Sequence, residues 1–254
     1  MFNKFDTLYP CHPKDVEVLK IAAKHMRLHT KCDKIYVISE KDLNIDGTIF
    51  VPESSFYEYV DLDKIESRWI REDKDFAYRS RWIYQQFLKV LSSIVISTLK
   101  EDYLVFDADS IIIRDIGFNT DKLQYCIPRE NNPEYIHSYC RIMKERPLTN
   151  HSFISHHMLF KKKIMKEIVS YVQTIHDKNF FDAILDCVNY STLSSICIEY
   201  DLYANYVAGR YPEMLEHRQL NWKTIPYVPT DKQLNELAKS YHFVSAHAWA
   251  REKK

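Results

Sequence analysis

Short apolar runs alternate with amphipathic stretches along the first half of the chain, and this alternation constrains the fold more than any other feature. Runs typical of strands occur at residues 5–10, 34–39, 48–51, 102–106 and 111–113. Apolar residues at helical spacing predict helices over residues 15–30 and 79–98. Alternation of this kind predicts an α/β fold with a mixed, mostly parallel central sheet flanked by helices.

The second half of the chain has a more mixed pattern. It predicts strands at residues 123–127, 153–160 and 241–245, and helices at residues 163–175, 180–188 and 193–208. No low-complexity linker or internal repeat separates the halves, so we expect a single domain over residues 1–254. We expect no transmembrane segment, and with no signal peptide we expect a soluble, cytoplasmic protein whose six cysteines are free thiols.

Glycine is scarce, and its scarcity excludes two common kinds of phosphate-binding loop. The chain has three glycines, where typical usage predicts about eighteen. The dinucleotide-binding fingerprint needs three glycines within six residues and the P-loop needs two, so neither motif is present. Basic and acidic residues balance at 35 each, and we therefore expect no nucleic-acid partner bound across the whole surface.

Two aspartates, Asp107 and Asp109, lie between two apolar runs. We expect their side chains to project to the same side of an extended segment at the carboxyl end of a strand, where α/β sheets bind ligands. Two carboxylates this close repel each other unless a cation neutralises them, which favours Mn²⁺ or Mg²⁺. The alternative is a pair of turn aspartates without a ligand. The Asp-x-Asp pairs at residues 61–63 and 73–75 lie in charged stretches typical of solvated surface.

Four segments of the chain carry a family resemblance. They are TLYPCHPKD (7–15), RWIYQQFLK (81–89), YLVFDADS (103–110) and IEYDLYANY (198–206). In order and spacing they resemble the GT-A-fold, DxD-containing nucleotide-sugar-dependent glycosyltransferases, and in particular a DxD-bearing family of bacterial and viral proteins. The second segment resembles that family's W-x-x-Q-Q-x-x-K helix. The fourth resembles its S-E-Y-E-L-Y-G segment, with Ile198 and Ala204 in place of the serine and the glycine.

The resemblance covers about residues 5–250 and implies a GT-A-like fold. It also implies a metal-dependent glycosyltransferase, which moves a sugar from a nucleoside diphosphate sugar to a hydroxyl of a glycan or another acceptor. UDP is favoured over GDP because it is the more frequent nucleotide in such families. About residues 1–115 would bind the nucleotide sugar, and about residues 116–254 would bind the acceptor.

The same resemblance assigns roles to individual residues. The metal, Mn²⁺ (or Mg²⁺), would be held by Asp107, Asp109 and His247, the last preferred to His242. The nucleotide sugar would be bound by Pro10, Cys11, His12, Arg81, Gln85, Lys89, Asp107 and Ala108. The acceptor would be bound by His156, His157, Tyr200 and Tyr203, with the two histidines facing opposite ways on a strand. Glu199 and Asp201 are the candidate catalytic carboxylates, since an inverting transferase needs a general base near the acceptor hydroxyl.

Two other functions stay open at this point. A non-catalytic sugar-nucleotide or glycan-binding module would have kept the fold and lost turnover. A metal-dependent phosphoesterase usually needs more clustered aspartate and histidine ligands, because its site holds two metals. Metal-dependent binding and turnover of a nucleotide sugar distinguish the transferase from both.

Overall fold

The computed structural model describes residues 4–126, 132–150, 152–154, 156–194 and 196–252, and it confirms the mixed α/β fold. The strands are β1 (Phe5–Pro10), β2 (Cys32–Ser39), β3 (Thr48–Pro52), β4 (Asp102–Phe106), β5 (Ser110–Ile112), β6 (Leu123–Tyr125), β7 (His157–Lys161), β8 (Leu215–His217), β9 (Trp222–Thr224) and β10 (Phe243–Ser245). The α-helices are α1 (Val16–His29), α2 (Leu62–Asp73), α3 (Ser80–Val95), α4 (Pro133–Met143), α5 (Lys162–His176), α6 (Phe180–Cys187), α7 (Tyr200–Arg210), α8 (Asp231–Leu237) and α9 (Ala248–Arg251). Among the described residues, no helix is both long enough and apolar enough to cross a membrane.

The central sheet has five strands in the order β3-β2-β1-β4-β7. The first four are mutually parallel, and β7 runs antiparallel to β4. Parallel strands of one sheet end at the same edge, so the residues that follow Pro10, Ser39, Pro52 and Phe106 lie along one edge of the sheet. Open α/β sheets bind their ligands at this carboxyl edge.

Alternating side chains of the central strands build a hydrophobic core on each face of the sheet. In β4, Tyr103 and Val105 pack into the core that includes α3, α5 and α7. Leu104 and Phe106 pack into the opposite core, which includes α1 and β10. This period of two follows from strand geometry, and burial on both faces explains why β4 has an almost continuous apolar sequence.

Two smaller sheets accompany the central one. One is a three-stranded sheet with the strand order β5-β10-β9. Its central strand, β10, pairs antiparallel with β5 and parallel with β9. Strands β6 and β8 form a parallel pair. The three-stranded sheet brings the C-terminal residues of the chain to the segment that follows β4, and this approach determines the site described below.

One helix starts later than the sequence predicts. The helix expected over residues 193–208 begins at Tyr200. Gln86 of α3 holds the preceding segment: its Oε1 accepts a hydrogen bond from the N–H of Ile198 at 2.8 Å, and its Nε2 donates to the carbonyl of Ile196 at 3.4 Å. These backbone groups are therefore bonded to a side chain rather than within a helix.

The strand expected over residues 153–160 is also shorter than predicted. It is confined to His157–Lys161, since His156 has a left-handed φ of 63° and does not continue the strand. Residues 127 and 155, which fall within two predicted strands, lie outside the described residues. Helices α2, α4, α8 and α9 and strands β8 and β9 were not predicted.

Candidate active site

Two antiparallel pairings each bring a histidine to one of the paired aspartates. Strand β4 pairs with β7 so that Phe106 lies opposite His157. The residue after β4, Asp107, therefore meets the residue before β7, His156. The N–H of Asp107 donates to the carbonyl of His156 at 2.9 Å, and Nδ1 of His156 lies 3.2 Å from Oδ2 of Asp107.

The second contact follows the same rule. Strand β5 pairs with β10 so that Ser110 lies opposite Ser245, and their hydroxyl oxygens are 2.7 Å apart. Asp109 precedes β5 and His247 follows β10, so the two residues meet. Nδ1 of His247 lies 2.8 Å from Oδ2 of Asp109, and this contact is called the histidine pair below.

The segment that carries both aspartates is a turn and not the extended segment that the sequence predicts. The N–H of Ser110 donates to the carbonyl of Asp107 at 3.0 Å, which closes the chain back on itself. The prediction of an extended segment was therefore wrong. Asp107 and Asp109 instead have different partners.

Asp107 belongs to a group of four residues that we call the lysine cluster: Lys89, Asp107, Glu199 and Tyr200. Lys89 extends from α3 and is only 1% exposed. Its Nζ lies 2.9 Å from Oδ1 of Asp107 and 2.8 Å from Oε2 of Glu199. The hydroxyl of Tyr200 donates to the same Oδ1 at 3.1 Å. A buried ammonium thus joins a partly exposed aspartate to a buried glutamate.

Burial and pairing act in opposite directions on the pKa values in this cluster. Burial raises the pKa of Asp107, but the charge of Lys89 and the hydrogen bond from His156 outweigh it and hold that pKa well below the usual range. Burial raises the pKa of Glu199 to about 7, although Lys89 opposes the shift. Burial lowers the pKa of Lys89, and the two carboxylates more than reverse this effect. Asp107 and Lys89 are therefore both charged at neutral pH.

The surroundings of the histidine pair are acidic. Burial and the charge of Asp109 raise the pKa of Asp15, which follows β1 and forms an ion pair with Arg251 of α9. Burial lowers the pKa of His247, but Asp109 reverses the effect, so the net shift is upward. Three carboxylates, those of Asp15, Asp107 and Asp109, accompany the two permanent cations of Lys89 and Arg251. This excess of carboxylates favours a bound cation.

The donor atoms of the histidine pair suit a divalent cation that is shared with a substrate. Asp109 offers carboxylate oxygen and His247 offers imidazole nitrogen, a combination suited to Mn²⁺ once the hydrogen bond between the two side chains is released. Both oxygens of Asp107 already contact Lys89, Tyr200 or His156. Within the described part of the chain, no group of three or more His, Cys, Asp or Glu side chains is arranged to hold a metal ion. A metal on this pair would need phosphate oxygens and water as its other ligands, as is usual for Mg²⁺ at nucleotide sites.

The loop after β1 lies at the same edge of the sheet. Pro10 ends the strand, and the N–H of the next residue, Cys11, donates to the carbonyl of Ile38 at 2.8 Å. Burial, with the charges of Asp15 and Asp109, raises the pKa of the Cys11 thiol to about 12, so it is not a reactive thiolate. His12 is exposed, and its Nδ1 accepts a hydrogen bond from the N–H of Lys14 at 3.2 Å.

The residues predicted on α3 are divided between surface and core. Arg81 is exposed and Gln85 is half-buried, while Ala108, in the turn after β4, is buried. Gln86, not Gln85, bonds the segment before α7. Lys89 faces Asp107 from within the core, where it has no exposed surface for a phosphate to contact.

Three predicted residues are not brought to the paired aspartates. His157 stacks on Phe106 at 5.3 Å with its Nε2 2.8 Å from Arg218, and its ring and that of His156 both contact Phe243. The hydroxyl of Tyr203 accepts a hydrogen bond from the N–H of Lys161 at 2.8 Å. Asp201 accepts from the N–H of Phe153 and the hydroxyl of Ser152, and burial raises its pKa to about 6.

Sequence reasoning missed two exposed tryptophans beside the site. Trp222 packs against His156 with ring centroids 4.4 Å apart, and Trp249 stacks on His247 at 5.5 Å. Trp249 lies two residues after a predicted metal ligand, which is a usable signal. Trp222 gives none, because only the parallel pairing of β9 with β10 brings it here.

Fold and site define an α/β protein with paired aspartate–histidine contacts at the carboxyl edge of its central sheet. The chain belongs to a family of unknown function (DUF6492), whose model matches residues 4–252. A search of curated proteins finds no match to the sequence.

Some solved structures resemble the chain. Mouse xyloside xylosyltransferase 1 in its apo form is 13% identical with a TM-score of 0.48, over 98% of this chain and 99% of that one. Galactosyltransferase LgtC in complex with donor and acceptor sugar analogues is 12% identical with a TM-score of 0.46, over 94% of this chain and 86% of that one. At such values neither similarity assigns an activity to the chain.

Proposed function

We propose that the protein is a metal-dependent glycosyltransferase that moves a sugar from a nucleoside diphosphate sugar, with UDP favoured over GDP, to a hydroxyl of a glycan or another acceptor. The observation that carries the proposal is the histidine pair, Asp109 and His247, beside Asp107 at the carboxyl edge of the sheet. A diphosphate needs compensating positive charge, and this edge is acidic. A divalent cation between the carboxylates and the phosphates accounts for both facts.

In this proposal the metal would be held by Asp109 and His247. When bound, it supplies a Lewis acid that stabilises the leaving diphosphate. Asp107 stays ionised because Lys89 and Tyr200 bond its Oδ1, and its Oδ2 faces His156. Asp107 is therefore held by a buried ammonium as well as by an imidazole, and Asp109 lies beside an imidazole.

We assign Glu199 a positioning role instead of the catalytic role first expected. Its carboxylate is 5% exposed and lies against Lys89, so it does not reach an acceptor hydroxyl. It acts through Lys89, which orients Asp107. Asp201 is similarly buried and bonds backbone and side chain of residues 152 and 153, which suits a structural role.

Calorimetry with UDP and GDP, each with and without Mn²⁺, tests the proposal. We expect wild type to bind one nucleotide tightly only when Mn²⁺ is present, and Mn²⁺ alone only weakly, since the described residues supply an incomplete ligand set. Asp109→Ala should lose the metal-dependent part of the affinity. Asp63→Ala is the matched control, because it removes the second aspartate of an exposed Asp-x-Asp pair on α2 and should change nothing.

Turnover separates the transferase from the alternatives. Release of UDP from UDP-glucose or UDP-galactose, dependent on Mn²⁺ and on Asp109, supports the transferase. Nucleotide binding without such turnover supports a binding module. Absence of UDP and GDP binding by a folded wild type overturns the proposal for both nucleotides.

A further inference from the structure

Four aromatic rings form a row along the site, in the order Trp222, His156, His247, Trp249. Successive ring centroids are 4.4, 5.2 and 5.5 Å apart. The two histidines at the centre contact the paired aspartates. The tryptophans at the two ends are 44% and 58% exposed. The row therefore presents an exposed indole on each side of the acidic centre.

Trp222 packs against two other rings although its side chain is partly exposed. It lies on β9, at the edge of the three-stranded sheet, directly beside Phe243 of β10. The two rings are nearly parallel, at 4° with centroids 5.9 Å apart, and Phe243 is buried. The rings of Trp222 and His156 also meet at 70° in an edge-to-face contact. A single exposed aromatic residue needs no explanation, but this one packs against two rings, and one of them, His156, contacts Asp107.

The two ends of the row have different neighbours. Trp249 lies on α9, whose Arg251 pairs with Asp15 in the segment after β1. That segment carries the residues expected to bind the nucleotide. Trp222 lies at the other end of the row, across His156 and His247. A donor on the β1 side therefore leaves the Trp222 end for a second substrate.

We propose that Trp222 is the platform on which a pyranose ring of the acceptor stacks. This inference rests on the proposed function, because it needs a donor site at the histidine pair. The C–H groups on one face of a pyranose are apolar and pack on an indole, while the hydroxyls at the rim of the sugar bond to polar neighbours. In this proposal the acceptor is a glycan or a glycoside. The acceptor class is therefore narrower than in the proposed function, which allows any compound with a hydroxyl.

Saturation-transfer NMR tests the platform with methyl β-D-glucopyranoside and methyl β-D-galactopyranoside as probes, in the presence of UDP and Mn²⁺. We expect wild type to bind at least one probe, with the strongest transfer to protons on one face of the ring. Trp222→Ala should weaken binding about tenfold or more, and Trp222→Phe, which keeps a ring against Phe243, should restore part of it. Leu28→Ala is the control, an exposed apolar residue at the end of α1.

Calorimetry with UDP and Mn²⁺ on the same proteins separates the two proposals and shows that the variants are folded. Unchanged UDP affinity in Trp222→Ala, with lost probe binding, supports the platform. The platform is overturned, while the donor site stands, if wild type binds neither probe or if Trp222→Ala binds a probe as tightly as wild type does. It is also overturned if Trp222→Ala loses UDP affinity, because Trp222 would then stack on the nucleobase and not on the acceptor. If wild type itself binds neither UDP nor GDP, the proposed function fails and the platform fails with it.

Discussion

Asp107 and Asp109 are two residues apart and almost equally exposed, with 24% and 20% of their side chains accessible, yet their partners differ in kind. Asp107 is bonded to a buried ammonium, which stays charged at every physiological pH. Asp109 is bonded to an imidazole, which can give up its proton and bind a metal. The two carboxylates therefore differ in their bonded partners and not in their exposure to solvent. The charge on Asp107 is balanced by a buried ammonium, and the proposed function assigns an exchangeable cation to Asp109.

The largest expected effect comes from breaking the lysine cluster. Lys89→Met leaves Glu199 buried and Asp107 without its cation, and removal of one partner of a buried ion pair costs about 3 kcal/mol or more. We expect urea unfolding to show that loss of stability.

Lys161→Met is the matched control for Lys89→Met. Lys161 pairs with Asp102 at 2.8 Å at the other end of β4, but its side chain is partly exposed. Such pairs contribute about 1 kcal/mol or less. Equal losses in the two variants would contradict the special position of Lys89. The double variant Lys89→Met/Glu199→Gln should recover part of the loss, because it removes the uncompensated charge.

A smaller effect shows what burial does to a carboxylate without a cation. Burial raises the pKa of Asp201 from its usual value of 3.8 to about 6, and its carboxylate accepts hydrogen bonds from uncharged groups of residues 152 and 153. A raised folded-state pKa stabilises the protein fully below the unfolded pKa, and this contribution is lost as the pH rises through about 6. We expect Asp201→Asn, relative to wild type, to gain about 2 kcal/mol in free energy of unfolding between pH 4.5 and 7.5.

Urea unfolding of both proteins at the two pH values measures this change. A pH-independent difference between them would show that Asp201 is ionised in the folded protein as readily as in the unfolded chain. The contrast with Asp107, whose pKa Lys89 and His156 lower, would then not hold.

The smallest effect in free energy is expected at the histidine pair. His247→Ala should weaken UDP binding in the presence of Mn²⁺ about tenfold, since loss of a ligand or its orienting partner has effects of this size. UDP affinity without metal should stay unchanged. His242→Ala is the control, because Nδ1 of His242 accepts a hydrogen bond from the N–H of Asn221 and takes no part in the pair. Equal UDP affinities for wild type and His247→Ala would remove His247 from the metal site.

The strands that flank the site were predictable because they are buried on both faces. Residues 5–10 and 102–106 have apolar runs, and the structure has β1 and β4 at these bounds. Helical spacing also predicts that Trp82, Gln85 or Gln86, and Lys89 share a face of α3. The depth of Lys89 did not follow, since a lysine at that spacing is equally compatible with the surface. Only its distances to Asp107 and Glu199 show that it belongs to the core.

The order of residues is enough to predict the α/β class, the absence of glycine-built phosphate loops and the place of two aspartates after a buried strand. Those features depend on local composition and periodicity, which a linear chain displays. The tertiary structure decided which residues meet the aspartates. His156 and His247 lie 49 and 138 residues from their partners, and antiparallel pairing of β4 with β7 and of β5 with β10 brings each pair together. Strand order and register arise from packing of the whole chain, so no local pattern records them.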